Sequence, residues 1–111
     1  MNYSINITRT AEQDLNEAVD YIEYVLKNPT AADDLLENVL KNLYPLENNP
    51  YIYPIVDNPV LKAWKIRFVA IKNYLAFYTI DEQEGIVYIV RFLYGKRNWI
   101  QILNQGIYFD D

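Results

Sequence analysis

The sequence predicts an α+β fold of the order β-α-α-β-β-β(-α), a helical hairpin packed on a small antiparallel sheet. Three observations carry that prediction. From Leu61 to Leu103 the chain reads LKAWKIRFVAIKNYLAFYTIDEQEGIVYIVRFLYGKRNWIQIL, with apolar and polar residues alternating at period two over three segments. Ahead of it, Leu15, Ala18, Val19, Ile22, Val25 and Leu26 recur at helical spacing, and so do Leu35, Leu36, Val39, Leu40 and Leu43. Asn28-Pro29 divides the two stripes, because a residue preceding proline is pushed out of the α region.

Each element has a local reason. Tyr3–Ile7 alternates as a short strand does. Thr10 with Gln13 has the form of a capping box, and Glu12 and Asp14 fall in the first turn, where the helix dipole favours anions. Thr30 is the expected N-cap of the second helix, which Pro45 closes. Glu47 to Pro59 holds Pro50, Pro54 and Pro59 with no regular period and reads as a loop. A strand is expected over Lys62–Ile71, with Trp64, Ile66 and Phe68 on a core face and Lys65 and Arg67 on a cationic one. Lys72-Asn73 is a two-residue turn in which Asn73 tolerates positive φ. Tyr74–Ile80 is almost wholly apolar, as a strand buried on both sides would be, and Ile86–Tyr94 is β-branched and aromatic around Arg91. Asn98–Leu103 suits a short terminal helix, and the chain then ends in a tail.

A length of 111 residues suits one domain, 1–111, with the tail from about residue 104. There is no Cys and no His, so a disulfide framework and a thiolate site are excluded, and acid–base chemistry falls to Lys, Tyr, Asp or Glu. No metal and no cofactor are expected. No run of eighteen apolar residues occurs and the first residues lack a secretory pattern, so a cytoplasmic protein with no membrane partner is expected. The net charge of −5 is unevenly spread. Up to Val60 three cations stand against ten anions; from Leu61 to Leu103 seven cations stand against three anions. An acidic helical half precedes a basic sheet half, which bears on partners rather than on fold.

The order of elements, with Trp64-Lys65-Ile66-Arg67, then Asn73-Tyr74-Leu75-Ala76-Phe77-Tyr78, then Ile89 to Trp99, resembles the RelE/ParE superfamily of toxins from bacterial toxin–antitoxin systems. Tyr21-Ile22 before Pro29 and Ala31-Ala32 after it look more like the ParE side. The resemblance implies one of two activities: RelE-like members cut mRNA in the ribosomal A site, and ParE-like members poison DNA gyrase. It also implies a cognate antitoxin that wraps the toxin. Lys65, Arg67 and Arg97 match RelE-type site positions, Tyr94 stands where many members have histidine, and Leu75 and Leu103 replace a family arginine and tyrosine. The resulting expectation is inhibition of translation by ribosome-dependent mRNA cleavage. Lys65, crowded by Arg67 and Arg91, would be the base; Arg67 and Arg97 would hold the phosphate; Tyr94 would stack a base or supply a proton. Arg91 and Lys96 are the further RNA-binding candidates. Arg91 lies within an apolar strand and so needs a partner: a carboxylate of this chain, one of an antitoxin, or a substrate phosphate. The alternatives are a gyrase inhibitor without catalysis and a degenerate member that only binds its antitoxin.

Overall fold

A computed structural model describes residues 2–107 and 109. Strand β1 (Ser4–Ile7) leads into helix α1 (Arg9–Asp20), which runs on through a π-helical turn at Tyr21–Val25. Helix α2 (Pro29–Leu43) ends in a 3-10 turn at Tyr44–Glu47. A short helix α3 (Pro59–Ala63) precedes strands β2 (Arg67–Ile71), β3 (Tyr74–Asp81) and β4 (Ile86–Tyr94), and helix α4 (Trp99–Asn104) follows them. The sheet order is β1-β4-β3-β2. The three later strands form the expected antiparallel meander, but β1 joins β4 in parallel, Ser4 opposite Ile86, so the whole sheet is mixed.

Both faces of the sheet are covered. On one, Val69, Ile71, Ala76, Tyr78, Ile89 and Phe92 pack against Ala18 of α1 and Leu35, Val39 and Leu43 of α2. On the other, Phe77, Val90 and Leu93 pack with Leu61 of α3 and Leu103 of α4. The central strand β3 is accordingly buried on both sides through Ala76, Phe77 and Tyr78, as its unbroken apolar run predicts. The C-terminal segment joins this outer layer: Ile107 packs on it, and the Phe109 ring meets Tyr88 edge-on at 5.3 Å. Tyr108, Asp110 and Asp111, the rest of the expected tail, lie outside the described residues.

The helix caps fall elsewhere than the sequence signals placed them. Thr8, not Thr10, caps α1: its Oγ1 accepts the Ala11 N–H at 3.2 Å and donates to the Ile89 carbonyl at 3.0 Å. That fully buried hydroxyl ties the helix start to β4, a tertiary gain no capping motif reveals. Asn28, not Thr30, caps α2, with Pro29 in the first turn, where its missing N–H costs nothing. The same Asn-Pro device recurs at Asn58-Pro59, where Asn58 accepts from Val60 and Leu61 and starts α3, a helix absent from the period-two reading.

Helix α3 also displaces the expected strand. β2 begins only at Arg67, and Lys65 sits in the left-handed region at φ 55°. Ile66 N–H bonds back to the Leu61 carbonyl and Lys65 N–H to that of Lys62, each at 3.0 Å, while Leu61 and Ile66 are both fully buried. This is a Schellman ending with lysine in the position glycine usually takes. In the β2–β3 turn it is Lys72, at φ 56°, and not Asn73 that carries the positive φ. Its ammonium is held 2.9 Å from Asp34 of α2, which fastens the turn to the hairpin. The left-handed strain at Lys65 is testable. Lys65→Gly should be more stable than Lys65→Ala by about 1 kcal/mol, read as the difference in denaturation midpoints of the two variants.

Candidate functional site

The sequence reading gathers Lys65, Arg67, Arg91, Tyr94 and Arg97 as candidates for one RNA-cleaving and RNA-binding site. The fold distributes them over separate neighbourhoods. Arg91 is turned toward the hairpin by a β-bulge: Phe77 pairs with Arg91 but Tyr78 pairs with Ile89, leaving Val90 as the extra residue. Its guanidinium grips Asp14 of α1 with two bonds, Nε to Oδ2 at 2.7 Å and Nη2 to Oδ1 at 2.9 Å. The Phe92 N–H donates to the same Oδ2 at 3.0 Å. Both side chains are largely buried, so Arg91 has found its partner in a carboxylate of this chain and its charge is neutralised in place.

Arg67 is occupied on the edge strand β2, two strands away from Arg91 and one position along in register. It lies on the hairpin side with Val69 and Ile71, and its Nη1 donates to the Tyr53 carbonyl. Its guanidinium stands 5.2 Å from the centre of the Tyr51 ring, a cation–π contact. Tyr78, opposite Arg67 in the ladder, donates its hydroxyl to the Pro50 carbonyl at 2.8 Å. Together they pin the proline-rich stretch after α2 to the sheet. Burial pushes the Tyr78 phenol up to about 12, although the Arg67 charge pulls the other way. Lys65 borders a hollow with Asp81, Glu82, Tyr88 and Phe109. Asp81 and Glu82 line that hollow with it, and Arg67 and Arg91 do not.

Tyr94 and Arg97 stand at the far end. Along β3, Tyr78 faces Arg67 whereas Tyr74 faces Tyr94; four residues apart, that is roughly 14 Å at about 3.4 Å per residue. Gly95 and Lys96 form the turn that follows β4, and the Gly95 N–H bonds to the Asn73 carbonyl at 2.8 Å. A Cβ on Gly95 would stand 3.3 Å from that oxygen, so glycine lets the two turns touch. Lys96 and Arg97 are both exposed there.

What this end of the molecule does assemble is a cleft of about 730 Å³ between the hairpin and the β3–β4 strands. Glu17, Tyr21 and Leu26 line its helical wall; Tyr74, Tyr94 and Arg97 line its sheet wall. Tyr74 stacks on Phe92 at 5.0 Å and meets Tyr94 edge-on at 5.6 Å. Burial, and then the neighbouring Tyr94 and Tyr21, raise the Tyr74 phenol above its ordinary value. The π-helical turn shapes the other wall: Leu26 N–H reaches the Tyr21 carbonyl at 3.0 Å, five residues back, which widens the helix. Tyr21, Val25 and Leu26 are each more than half exposed, against the expectation that Val25 and Leu26 belong to the core stripe. Their exposure was hidden because helical spacing shows a stripe's existence and not where the neighbouring element stops covering it. Among the described residues no His, Cys, Asp or Glu grouping could hold a metal ion. The arrangement is an open aromatic cleft with Glu17 on its helical wall and Arg97 on its sheet wall.

The model of the ParE toxin of type II toxin–antitoxin systems, parDE, matches residues 5–99. The chain belongs to this family. Its fold is shared with solved structures. The chromosomal ParDE toxin–antitoxin system from Pseudomonas aeruginosa is similar at a TM-score of 0.65 and 20% identity, over 83% of this chain and 95% of that one. The toxin–antitoxin complex RelBE2 from Mycobacterium tuberculosis is similar at a TM-score of 0.57 and 18% identity, over 85% of this chain and 99% of that one. No curated protein sequence matches. The ParE-family chain thus has the superfamily's helices-on-sheet fold, and no helix among its described residues is long and apolar enough to cross a membrane.

Two measurements check these assignments. Removing one partner of the buried pair, as in Arg91→Ala or Asp14→Ala, should cost about 3–5 kcal/mol, with a double-mutant cycle showing strong coupling in denaturant melts. The raised Tyr78 phenol means that the folded state holds its proton more tightly than the unfolded chain. The stability it contributes is complete below pH 10 and is lost as pH rises through about 12. Tyr78→Phe should therefore show a shallower alkaline loss of stability across that window.

Proposed function

We propose that this chain is a toxin that acts by binding a protein target, DNA gyrase as in ParE-like members, without cutting RNA, and that a cognate antitoxin holds it inactive. The observation that carries this reading is the separation of Lys65, Arg67 and Arg97. Metal-free RNA cleavage stabilises a pentavalent phosphate with cations that converge on it, and the electrostatic contribution is usually the largest one. Arg67 is engaged with Tyr51 and Tyr53, Arg91 with Asp14, and Arg97 lies beyond Tyr94 at the opposite end of the sheet. A single phosphate cannot bridge that spacing. The match to the ParE toxin family also favours gyrase over the ribosome. An antitoxin partner is supported by the two similar structures, which are a toxin–antitoxin system and a toxin–antitoxin complex.

The test is induction of the chain alone, with primer extension on cellular mRNA and a supercoiling assay on purified gyrase. Growth arrest with inhibited supercoiling and uncut mRNA is expected, and Lys65→Ala should keep toxicity within about twofold, since proton transfer by it would be worth about 100-fold or more. Codon-phased cuts that vanish in Lys65→Ala/Arg97→Ala would overturn the reading in favour of a ribosome-dependent nuclease. Absence of arrest would mark a member that only binds its antitoxin.

A further inference from the structure

We infer that the outer layer of the sheet, where helices α3 and α4 pack, is the face that meets the gyrase protein, with Trp64 as the anchor in an apolar recess of the target rimmed by carboxylates. This rests on the reading above that the target is gyrase, and it adds the surface, the anchor and the chemistry of the recess. Helix α3 turns Leu61 inward, fully buried, and leaves Val60 and Trp64, four residues apart on one side, 46% and 51% exposed. Helix α4, which touches α3, buries Leu103 and leaves Ile100 exposed. A tryptophan ring offers a large contact area for two rotatable bonds, and Trp is enriched where interfaces concentrate their binding energy. A helix of five residues does not hold itself in water. Three ties fix α3: Asn58 accepts from Val60 and Leu61, the Ile66 N–H closes back on the Leu61 carbonyl, and the Thr79 hydroxyl donates to the Trp64 carbonyl at 3.1 Å. Trp64 is thereby presented from a backbone already ordered, so docking loses little further entropy.

Charge selects the occupant. From Asn58 to Ile80, and again from Ile86 to Phe109, the sequence holds no Asp or Glu. Lys62 on α3, and Lys96 and Arg97 ahead of α4, are exposed. Lys65 stands apart from this set, since Asp81 and Glu82 line the hollow it borders. The outer layer is thus cationic about an apolar centre, and the surface complementary to it is apolar with an anionic rim. Duplex DNA would meet only these few cations on a chain of net charge −5, and Val60 and Ile100 offer a phosphate backbone nothing. A second copy would bring its acidic helical half, but that contact is head-to-tail and strings copies into chains or rings. An acidic-rimmed recess on a foreign protein matches both the rings and the charges.

The experiment uses the full-length chain and purified gyrase, with inhibition read in a supercoiling assay and binding to DNA-free gyrase by titration calorimetry. Trp64→Ala removes the anchor and Lys62→Glu reverses a charge, both at exposed positions, and thermal melting checks folding. Tyr44→Ala, which removes a more exposed ring on the hairpin layer, is the control. Trp64→Ala and Lys62→Glu should each raise the concentration for half-inhibition about tenfold or more and weaken binding to match, with melting and the control unchanged. Inhibition that neither substitution alters would overturn the surface assignment and leave the gyrase reading intact. Neither inhibition nor binding by the unaltered chain would remove that reading, and the inference with it. Binding to duplex DNA, or self-association, that Lys62→Glu abolishes while binding to DNA-free gyrase is untouched would also overturn the inference, making this face a nucleic-acid or self contact. Loss of folding in Trp64→Ala leaves Lys62→Glu to decide.

Discussion

A buried carboxylate and guanidinium at the seam between α1 and β4 hold the two layers of this molecule together. Asp14 accepts two bonds from Arg91 and a third from the Phe92 backbone, so most of its acceptor capacity is spent inside the protein. The pair exists only because β4 carries one residue more than its partner at that point, which rotates Arg91 from the meander's outer face to the hairpin side. Charges of this kind are costly to bury unless fully paired. The register of β4, the position of α1 and the neutralisation of Arg91 are therefore one constraint with three visible results.

Three further basic residues are employed within the fold. Arg67 carries the loop after α2 on its guanidinium, Lys72 fastens a hairpin turn to Asp34, and Lys65 ends a helix in a left-handed conformation. Cations that look like a surface stripe in the sequence become struts in the fold. At the end of the sheet, Tyr74, Tyr94 and Arg97 face Tyr21, Leu26 and Glu17 across an open cleft. Its rings offer contact area at small entropic cost, as Tyr does at many protein interfaces.

Periodicity in the sequence was enough to place both long helices, the three antiparallel strands and the doubly buried β3. These features rest on spacing along one segment, and spacing is written in the chain. The pairing of β1 with β4 was not legible, since four residues of alternating pattern say nothing about direction. Thr8 as the cap was hidden for a related reason, its second bond running to Ile89 across 81 residues of sequence. Helix α3 was masked by Trp64, Ile66 and Phe68, whose alternation reads as a strand although Asn58-Pro59 carried a helix start.

The chain by itself determined the α+β class, the hairpin, the acidic first half and the basic second half, because these depend on composition and on contacts within single elements. Residue patterns around Trp64, Asn73 and Arg91 were likewise sufficient to point to the superfamily. Which cations would meet was decided only in three dimensions. One bulge in β4, one left-handed lysine and one loop laid over Arg67 gave residues close in sequence or strand order different surroundings and partners. Such outcomes depend on long-range register and packing, and a one-residue shift in register moves a side chain to the opposite face.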